Sequence, residues 1–561
     1  MYKKQYFTRR TLFIELLKFL FFLGIIYRFF SLQLLHYEKY KILSTTNKLK
    51  IIYIESLRGK IYDKKNILLA ENKFTYNLYI ENILPYNLKI LIMKISKYFP
   101  KIKIKKIEWQ KYNNKKNISY VKLTDNINES SLQKIRSNLE FYKININRTT
   151  FRLYNMGAFF FHIIGYVKIL SWLSNDDKLI GLYGIEKYFN HELRGYNGRK
   201  KLEINASKKI IKTIDLFIPK HGNNISISIN SKIQLTIYKA MKNFTGSIIL
   251  MDLNSNKIIA MISSPELNPN FFSKSFNKIQ WEKITQNKNF PLVNRCISSL
   301  YNPGSTFKIT LYLAILNFNI SPRKTIFCPG FFKFGNRVYH CHKQTGHGDI
   351  SIDEALKKSC NVFFYQRSQD VGIEKISMIA KILGFGSITG IELPFEVNGI
   401  LPDMRWKMKK YSKSWFKSDT LNIAIGQGLI LSTPIQLIQM IARIASQKKI
   451  FPTLINNKNK CFDKITINPK HIKRLEQTLK YDASLNNNSF YQLFGKTGTS
   501  QVIKRSMSKK KYKYIDHSIF TGYAKGIKNK YAISVVIEHG GWGSKTALPI
   551  AKKIFNNIGF F

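Results

Sequence analysis

The sequence predicts an α+β protein tethered by a single N-terminal membrane-spanning helix, with an elongated platform domain between that helix and a larger C-terminal domain. Three observations predict it. An apolar run occupies residues 12–35, and a basic stretch of short strand-like segments follows to about residue 225. Beyond it, strand pairs open and close a segment whose middle has helical periodicity, the pattern of a mainly antiparallel sheet flanked by helices. With 561 residues, 44% of them hydrophobic, the chain can fill two packed cores.

Leu, Phe and Ile dominate residues 12–35, interrupted by Glu15, Lys18 and Arg28. The run is long enough to span a bilayer. Glu15 and Lys18 lie three apart on one helix face and partly neutralise each other, while Arg28 can snorkel to the far interface. Lys3, Lys4, Arg9 and Arg10 precede the run, so residues 1–11 are expected to form a cytoplasmic tail and everything after about residue 36 to face outward. A cleaved signal peptide has the same layout, but Tyr27, Arg28, Phe29 and Phe30 leave no small-x-small cleavage site after Gly24. The segment is therefore read as a retained anchor.

Lys and Arg total 91 against 33 Asp and Glu, a net charge of +58. The excess is spread along the whole chain and concentrates in no arm or helix face, so it does not point to nucleic acid as a partner. The five cysteines, Cys296, Cys328, Cys341, Cys360 and Cys461, lack the spacing of a small disulfide scaffold.

Residues 36–225 form the platform. Within it, Arg58-Gly59-Lys60-Ile61-Tyr62-Asp63 has strand and turn character, and the stretch beginning Gly184-Ile185-Glu186-Lys187-Tyr188 is helical up to the glycines Gly195 and Gly198. Residues 226–561 form the C-terminal domain. Residues 246–251 and 257–262 are strands of one hairpin, residues 518–524 and 531–538 strands of another, and residues 548–557 a closing helix. Helices are expected at 308–317, 352–358, 373–383 and 434–445.

Three short motifs in this domain carry chemistry. Pro303-Gly304-Ser305-Thr306-Phe307-Lys308 opens the first of those helices, which places Ser305 in its first turn and the Lys308 amine on the same face. A serine beside an amine, at a helix N-terminus that favours developing negative charge, is an activated nucleophile. By itself Ser-x-x-Lys also describes an ordinary capped helix. Downstream stand Ser359-Cys360-Asn361 and Lys496-Thr497-Gly498-Thr499. In this order the three match the Ser-x-x-Lys, Ser-x-Asn and Lys-Thr-Gly set of penicillin-binding proteins and serine β-lactamases.

Over nearly the whole chain after the anchor, the sequence resembles the class B peptidoglycan D,D-transpeptidases of the elongation type, the penicillin-binding protein 2 family. Arg58–Asp63, Gly184–Tyr188, Tyr301–Lys308, Cys328-Pro329-Gly330, Gly346-His347-Gly348, Gly426-Gln427-Gly428 and Lys496–Thr499 carry the resemblance. It implies a penicillin-binding, β-lactamase-like transpeptidase fold at 226–561, a dimerisation or pedestal role for 36–225, and a single-pass protein of the bacterial inner membrane with its catalytic domain in the periplasm. It implies that Ser305 is acylated by D-Ala-D-Ala stem peptides, and by β-lactams, with Lys308 as base. Ser359 would relay a proton, Asn361 would hold the substrate amide, and Lys496 would keep the site positive. Thr497 and Thr499 would bind the terminal carboxylate, Gly498 would let substrate lie along the strand edge, and the N–H groups of Ser305 and Thr499 would form an oxyanion hole. Expected partners are a SEDS-family glycosyltransferase and an elongation scaffold. A septal transpeptidase, a D,D-carboxypeptidase or β-lactamase, and a non-catalytic penicillin sensor or scaffold share parts of this pattern. The middle residue of Ser-x-Asn, Cys360, is a departure, since a small apolar residue would serve there.

Cys328, Cys341, His347 and Cys360 fall close together in sequence, and Cys3His is an ordinary zinc set. Some relatives hold a structural zinc through Asp, Asp, His and Cys, and Cys328 and Cys341 would stand where those have Asp. A Zn2+ there would brace the loop bearing Ser359 and Asn361. Disulfide pairing of these thiols is the alternative outside the cytoplasm.

Overall fold

The computed structural model describes residues 9–83, 85–98, 118–127, 133, 144–169, 179–205, 209–273, 278–321, 324–456, 462–481, 491–502 and 515–559. The chain forms two compact units. One takes in the chain up to Leu57 together with Arg194–Gly222, and the other comprises Arg58–Leu193 and Asn223–Phe561.

In the first unit, an α-helix, Arg9–Phe30, runs into a π-turn at Ser31–Leu35 and a second helix, Tyr37–Lys48. Lys18 donates to Glu15 at 2.9 Å, the neutralising pair expected from their spacing. Among the described residues no helix is both long and apolar enough to meet the usual measure of a membrane span. The charges at Arg9, Arg10, Glu15, Lys18 and Arg28 interrupt this one. Leu49–Ile54, Gly198–Ile204 and Ile210–Phe217 complete the unit as a three-stranded antiparallel sheet.

The second unit begins with the long strand Leu68–Ile83, which pairs antiparallel with Ile61–Tyr62, Ile118–Ile127 and Ile144–Tyr154. Two of the sequence segments without evident chemistry meet beside it. Arg58 and Arg152 both clamp the buried Glu186 carboxylate, Nε to Oε2 at 2.5 Å and Nε to Oε1 at 2.7 Å. Arg58 also donates to the Glu186 carbonyl and to Asn190 Oδ1, so desolvation of the charges is offset by several charge-assisted bonds.

The rest of this unit is built on helix α1 (Ser231–Met241), strands β1 (Gly246–Asp252) and β2 (Lys257–Ser264), helices α2 (Lys308–Asn317), α3 (Ile352–Lys357), α4 (Asn361–Val371), α5 (Ile373–Leu383), α6 (Lys417–Ala424), α7 (Pro434–Ser446) and α8 (Pro469–Leu479), strands β3 (Gln492–Ser500), β4 (His517–Lys525) and β5 (Lys530–Ile537), and helix α9 (Ala547–Ile558). The sheet order is β2-β1-β5-β4-β3, antiparallel throughout, as the two hairpins predict.

Both faces of this sheet are covered, and the strand period of two sorts its residues between two cores. Ile248, Leu250, Phe520 and Val535 pack with Ile237, Met241, Ile554 and Phe555 of α1 and α9. Ile249, Met251, Ile519 and Val536 face the other core with α2 and α7. Because β1, β2 and β5 are buried on both sides, their sequences are near-continuous apolar runs rather than alternations. Helix α2 is buried from Lys308 to Leu316, so its N-terminal turn is held rigidly at the middle of the domain. The closing strand β3 lies at the sheet edge.

Candidate active site

The Ser305 turn is fixed by glycine packing. Gly304, Ser305 and Thr306 form one 3-10 turn leading into α2, with Gly304 at φ +56°. A Cβ on Gly304 would lie 2.6 Å from the Thr499 carbonyl oxygen, and one on Gly498 would lie 2.8 Å from the Pro303 oxygen. The serine elbow and the edge strand β3 therefore touch through bare backbone, a closeness that side chains would prevent. Ser305 is half-buried at this seam.

Lys308 is completely buried, and its Nζ donates to the Ser359 carbonyl at 2.8 Å, to Ser359 Oγ at 3.2 Å and to Asn361 Oδ1 at 2.6 Å. Burial, reinforced by the charge of Lys496, pushes the amine down to about 7, so neutral and charged forms are both accessible near neutrality. Among the described residues no hydrogen bond joins Lys308 to Ser305 Oγ, a difference from the contact expected of their spacing. The amine is turned to the Ser359–Asn361 segment, one turn away from Ser305.

That segment is held by the end of α3. The Ser359 N–H bonds to the Leu356 carbonyl and the Cys360 N–H to the Ala355 carbonyl, with Ser359 at φ +54°. This is a Schellman ending, in which the left-handed residue is usually glycine. Asn361 then opens α4, donating its own N–H to Cys341 Sγ at 3.4 Å and its side-chain amide to the His340 carbonyl at 3.3 Å. On β3 the Lys496 side chain is buried and held at about 8 by desolvation, while Thr497 and Thr499 are half-buried on either side of the buried Gly498.

Sequence reasoning gave the Gly426-Gln427-Gly428 turn no role. It closes α6, and Gly426, at φ +70°, accepts the Gly304 N–H at 2.9 Å, while Gln427 Nε2 donates to the Thr499 carbonyl at 2.9 Å. The paired glycines were the only available signal.

Beside the Ser359 loop, one ligand atom each from Cys328, Cys341, His347 and Cys360 lies within 4.8 Å of the others. His347 Nδ1 is 3.5 Å from Cys328 Sγ and 3.6 Å from Cys341 Sγ. Hydrogen bonding from Cys360, aided by His342, holds the Cys341 thiol far below its ordinary range, and the same pairing pushes Cys360 up. The four described cysteines, Cys328, Cys341 and Cys360 of this cluster and Cys296, are free and buried; Cys461 lies outside the described residues.

The family model for the penicillin-binding protein transpeptidase domain matches residues 246–558. The chain belongs to the penicillin-binding protein transpeptidase family. A second model, the penicillin-binding protein dimerisation domain, matches residues 53–227, and this tandem is that of a class B penicillin-binding protein. Peptidoglycan D,D-transpeptidase MrdA of Haemophilus influenzae is 27% identical over 99% of this chain and 92% of its own length. MrdA of Acinetobacter baumannii is 28% identical over 94% of this chain and 84% of its own. The solved Helicobacter pylori penicillin-binding protein PBP2, in its complex with MreC, superposes with a TM-score of 0.79 at 28% identity, covering 91% of this chain and all of that one. The resemblance to the PBP2 type read from the motifs is thus upheld over most of the chain.

Proposed function

We propose that this class B penicillin-binding protein is a peptidoglycan D,D-transpeptidase of cell elongation that acts through a Ser305 acyl-enzyme. The observation that carries the reading is the buried Lys308 amine, held near neutrality against Ser359 and Asn361 and one turn from a serine pinned to the edge of β3. Neutral Lys308 takes the Ser305 Oγ proton as the oxygen attacks the penultimate D-Ala carbonyl. The tetrahedral oxyanion is met by the Ser305 and Thr499 N–H groups. Its collapse breaks the D-Ala–D-Ala amide, and the proton passes through Ser359 to the departing amine, leaving the acyl chain esterified to Ser305. A stem-peptide amine from a neighbouring strand then attacks the ester, and the proton it loses passes through the same relay to Ser305 Oγ as the acyl C–O bond breaks, restoring the serine and leaving the new cross-link amide. Lys496, with Thr497 and Thr499, holds the terminal carboxylate, and Asn361 the donor's amide.

The helix Arg9–Phe30 continuing toward residue 35 is read as the single anchor in the bacterial inner membrane, with residues 1–11 cytoplasmic, 36–225 as the pedestal and 226–561 periplasmic. The Glu15–Lys18 pair lowers the cost of burying its charges. By analogy with the MreC-bound relative, an elongation scaffold docks on the pedestal, and a SEDS-family glycosyltransferase is the membrane partner. The Cys328, Cys341, His347 and Cys360 set is read as a structural zinc site. Zinc lengths of about 2.3 Å to sulfur and 2.0 Å to nitrogen, at tetrahedral angles, put S and N about 3.5 Å apart. The two S–N separations agree with that value.

The test is covalent labelling. Purified protein and its Ser305→Ala variant are incubated with a fluorescent penicillin, followed by peptide mass analysis. Label on the Ser305 peptide of wild type alone is the expected result; folded wild type that takes no label overturns the catalytic reading. Turnover of a pentapeptide with an added amine acceptor then separates transfer from hydrolysis.

A further inference from the structure

Two N–H groups on different elements must hold a fixed separation to serve one oxyanion: Ser305 on the elbow and Thr499 on β3. Their elements are not neighbours in sequence, and one turn ties them together. Helix α6 ends in a second Schellman turn, in which Gly426 N–H bonds to the Ile423 carbonyl and Gln427 N–H to the Asn422 carbonyl. The Gly426 carbonyl takes the Gly304 N–H at 2.9 Å, one residue before the nucleophile. The Gln427 side chain reaches the other way, to the Thr499 carbonyl at 2.9 Å. Gly428 adds a third tie, its carbonyl accepting from Asn302 Nδ2 at 3.1 Å.

Spacing allows nothing larger at this seam. A Cβ on Gly426 would sit 2.1 Å from the Gly304 oxygen. A strand residue projects its N–H and C=O to the same edge. A Cβ on Gly304 would lie 2.6 Å from the Thr499 oxygen and 3.0 Å from its nitrogen, so both groups of Thr499 face the elbow. Holding that carbonyl therefore holds the edge from which the N–H points.

We infer that Gln427 is a positioning residue for acyl transfer: its side-chain amide fixes the Thr499 end of the oxyanion hole, while the backbone of the same turn fixes the Ser305 end. The inference rests on the reading of Ser305 as nucleophile. Preorganised donors act because they need not reorient as charge develops, so loosening one of them slows the chemical step and spares ground-state binding.

Gln427→Met removes the amide at similar volume. In the full-length protein, the first-order acylation constant with a fluorescent penicillin falls about 10- to 100-fold, less than deletion of a donor outright. The pre-acylation dissociation constant and the unfolding midpoint keep their wild-type values. Affinity for a boronic acid, whose tetrahedral adduct on Ser305 places an oxygen between the same donors, falls in parallel. If the methionine variant melts early, Gln427→Asn, which keeps the amide but withdraws it by one methylene, is measured by the same readouts. An unchanged acylation constant, or a loss borne entirely by pre-acylation binding, overturns the inference. Failure of wild type to label overturns the Ser305 reading instead.

Discussion

At Ser359 the chain accepts a backbone cost for a side chain. The left-handed position closing α3 is filled by serine at φ +54°, whereas the same position closing α6 is filled by Gly426. Ser359→Gly is expected to raise stability by about 1 kcal/mol in urea unfolding, by relieving that conformation. The same change slows acylation by at least about 100-fold, because the hydroxyl beside Lys308 is gone. In the proposed mechanism the two lysines set the pH window. Lys308 serves only when neutral, so acylation rises as pH climbs through about 7, and Lys496 serves only when charged, so it falls again above about 8. A bell-shaped profile of the acylation constant is expected, with limits belonging to the coupled pair. Lys496→Ala removes the charge that helps depress Lys308, so the rising limb moves to higher pH. The choice of Ser305, Lys308 and Lys496 as candidates came from motif spacing. Where the amine points was not legible there, because its partners, Ser359 and Asn361, arrive from helices far along the chain.

At the scale of elements, the site is a junction of the α2 elbow, the α3–α4 loop, the α6 turn and the β3 edge. Gly426→Ala brings a methyl to within 2.1 Å of the Gly304 oxygen at φ +70°, so the elbow must move off β3. More than about 2 kcal/mol of stability should be lost, with acylation reduced further than unfolding alone explains, as read by urea titration beside labelling kinetics. The Cys328–His347 cluster acts on the α3–α4 loop, since Asn361 donates its N–H to Cys341 Sγ. Purified protein is expected to carry one zinc by elemental analysis. Cys328→Ser should lose it, lower the unfolding midpoint and slow acylation; full metal-free activity would sink the zinc reading. Strands β1, β2, β4 and β5 and helices α2, α5, α7 and α9 follow from their apolar patterns. Helices α4 and α6 escaped notice because their apolar residues are not gathered on one face, which blurs the helical period, whereas α1 and α8 were missed although each has a clear apolar face.

At the scale of the molecule, Arg58 and Glu186, read from sequence only as positional motifs, form with Arg152 a buried triad beside the long platform strand. Glu186→Gln leaves two buried guanidinium groups without a counter-charge and should destabilise the fold by about 3–5 kcal/mol in urea unfolding. Arg152→Met leaves the Arg58–Glu186 pair intact and should cost less. An equal loss in both variants would argue that charge balance is not the triad's role.

The order of motifs and the apolar strands determine the family, the antiparallel sheet and the serine proposed as nucleophile, because each is written in a few contiguous residues. Only the tertiary structure decides that Lys308 is dry, that Ser359 is left-handed, that two arginines share Glu186, and that the Gly-Gln-Gly turn bridges elbow and strand. Those facts depend on desolvation and on backbone approach between segments far apart in sequence, and no local pattern of residues records either.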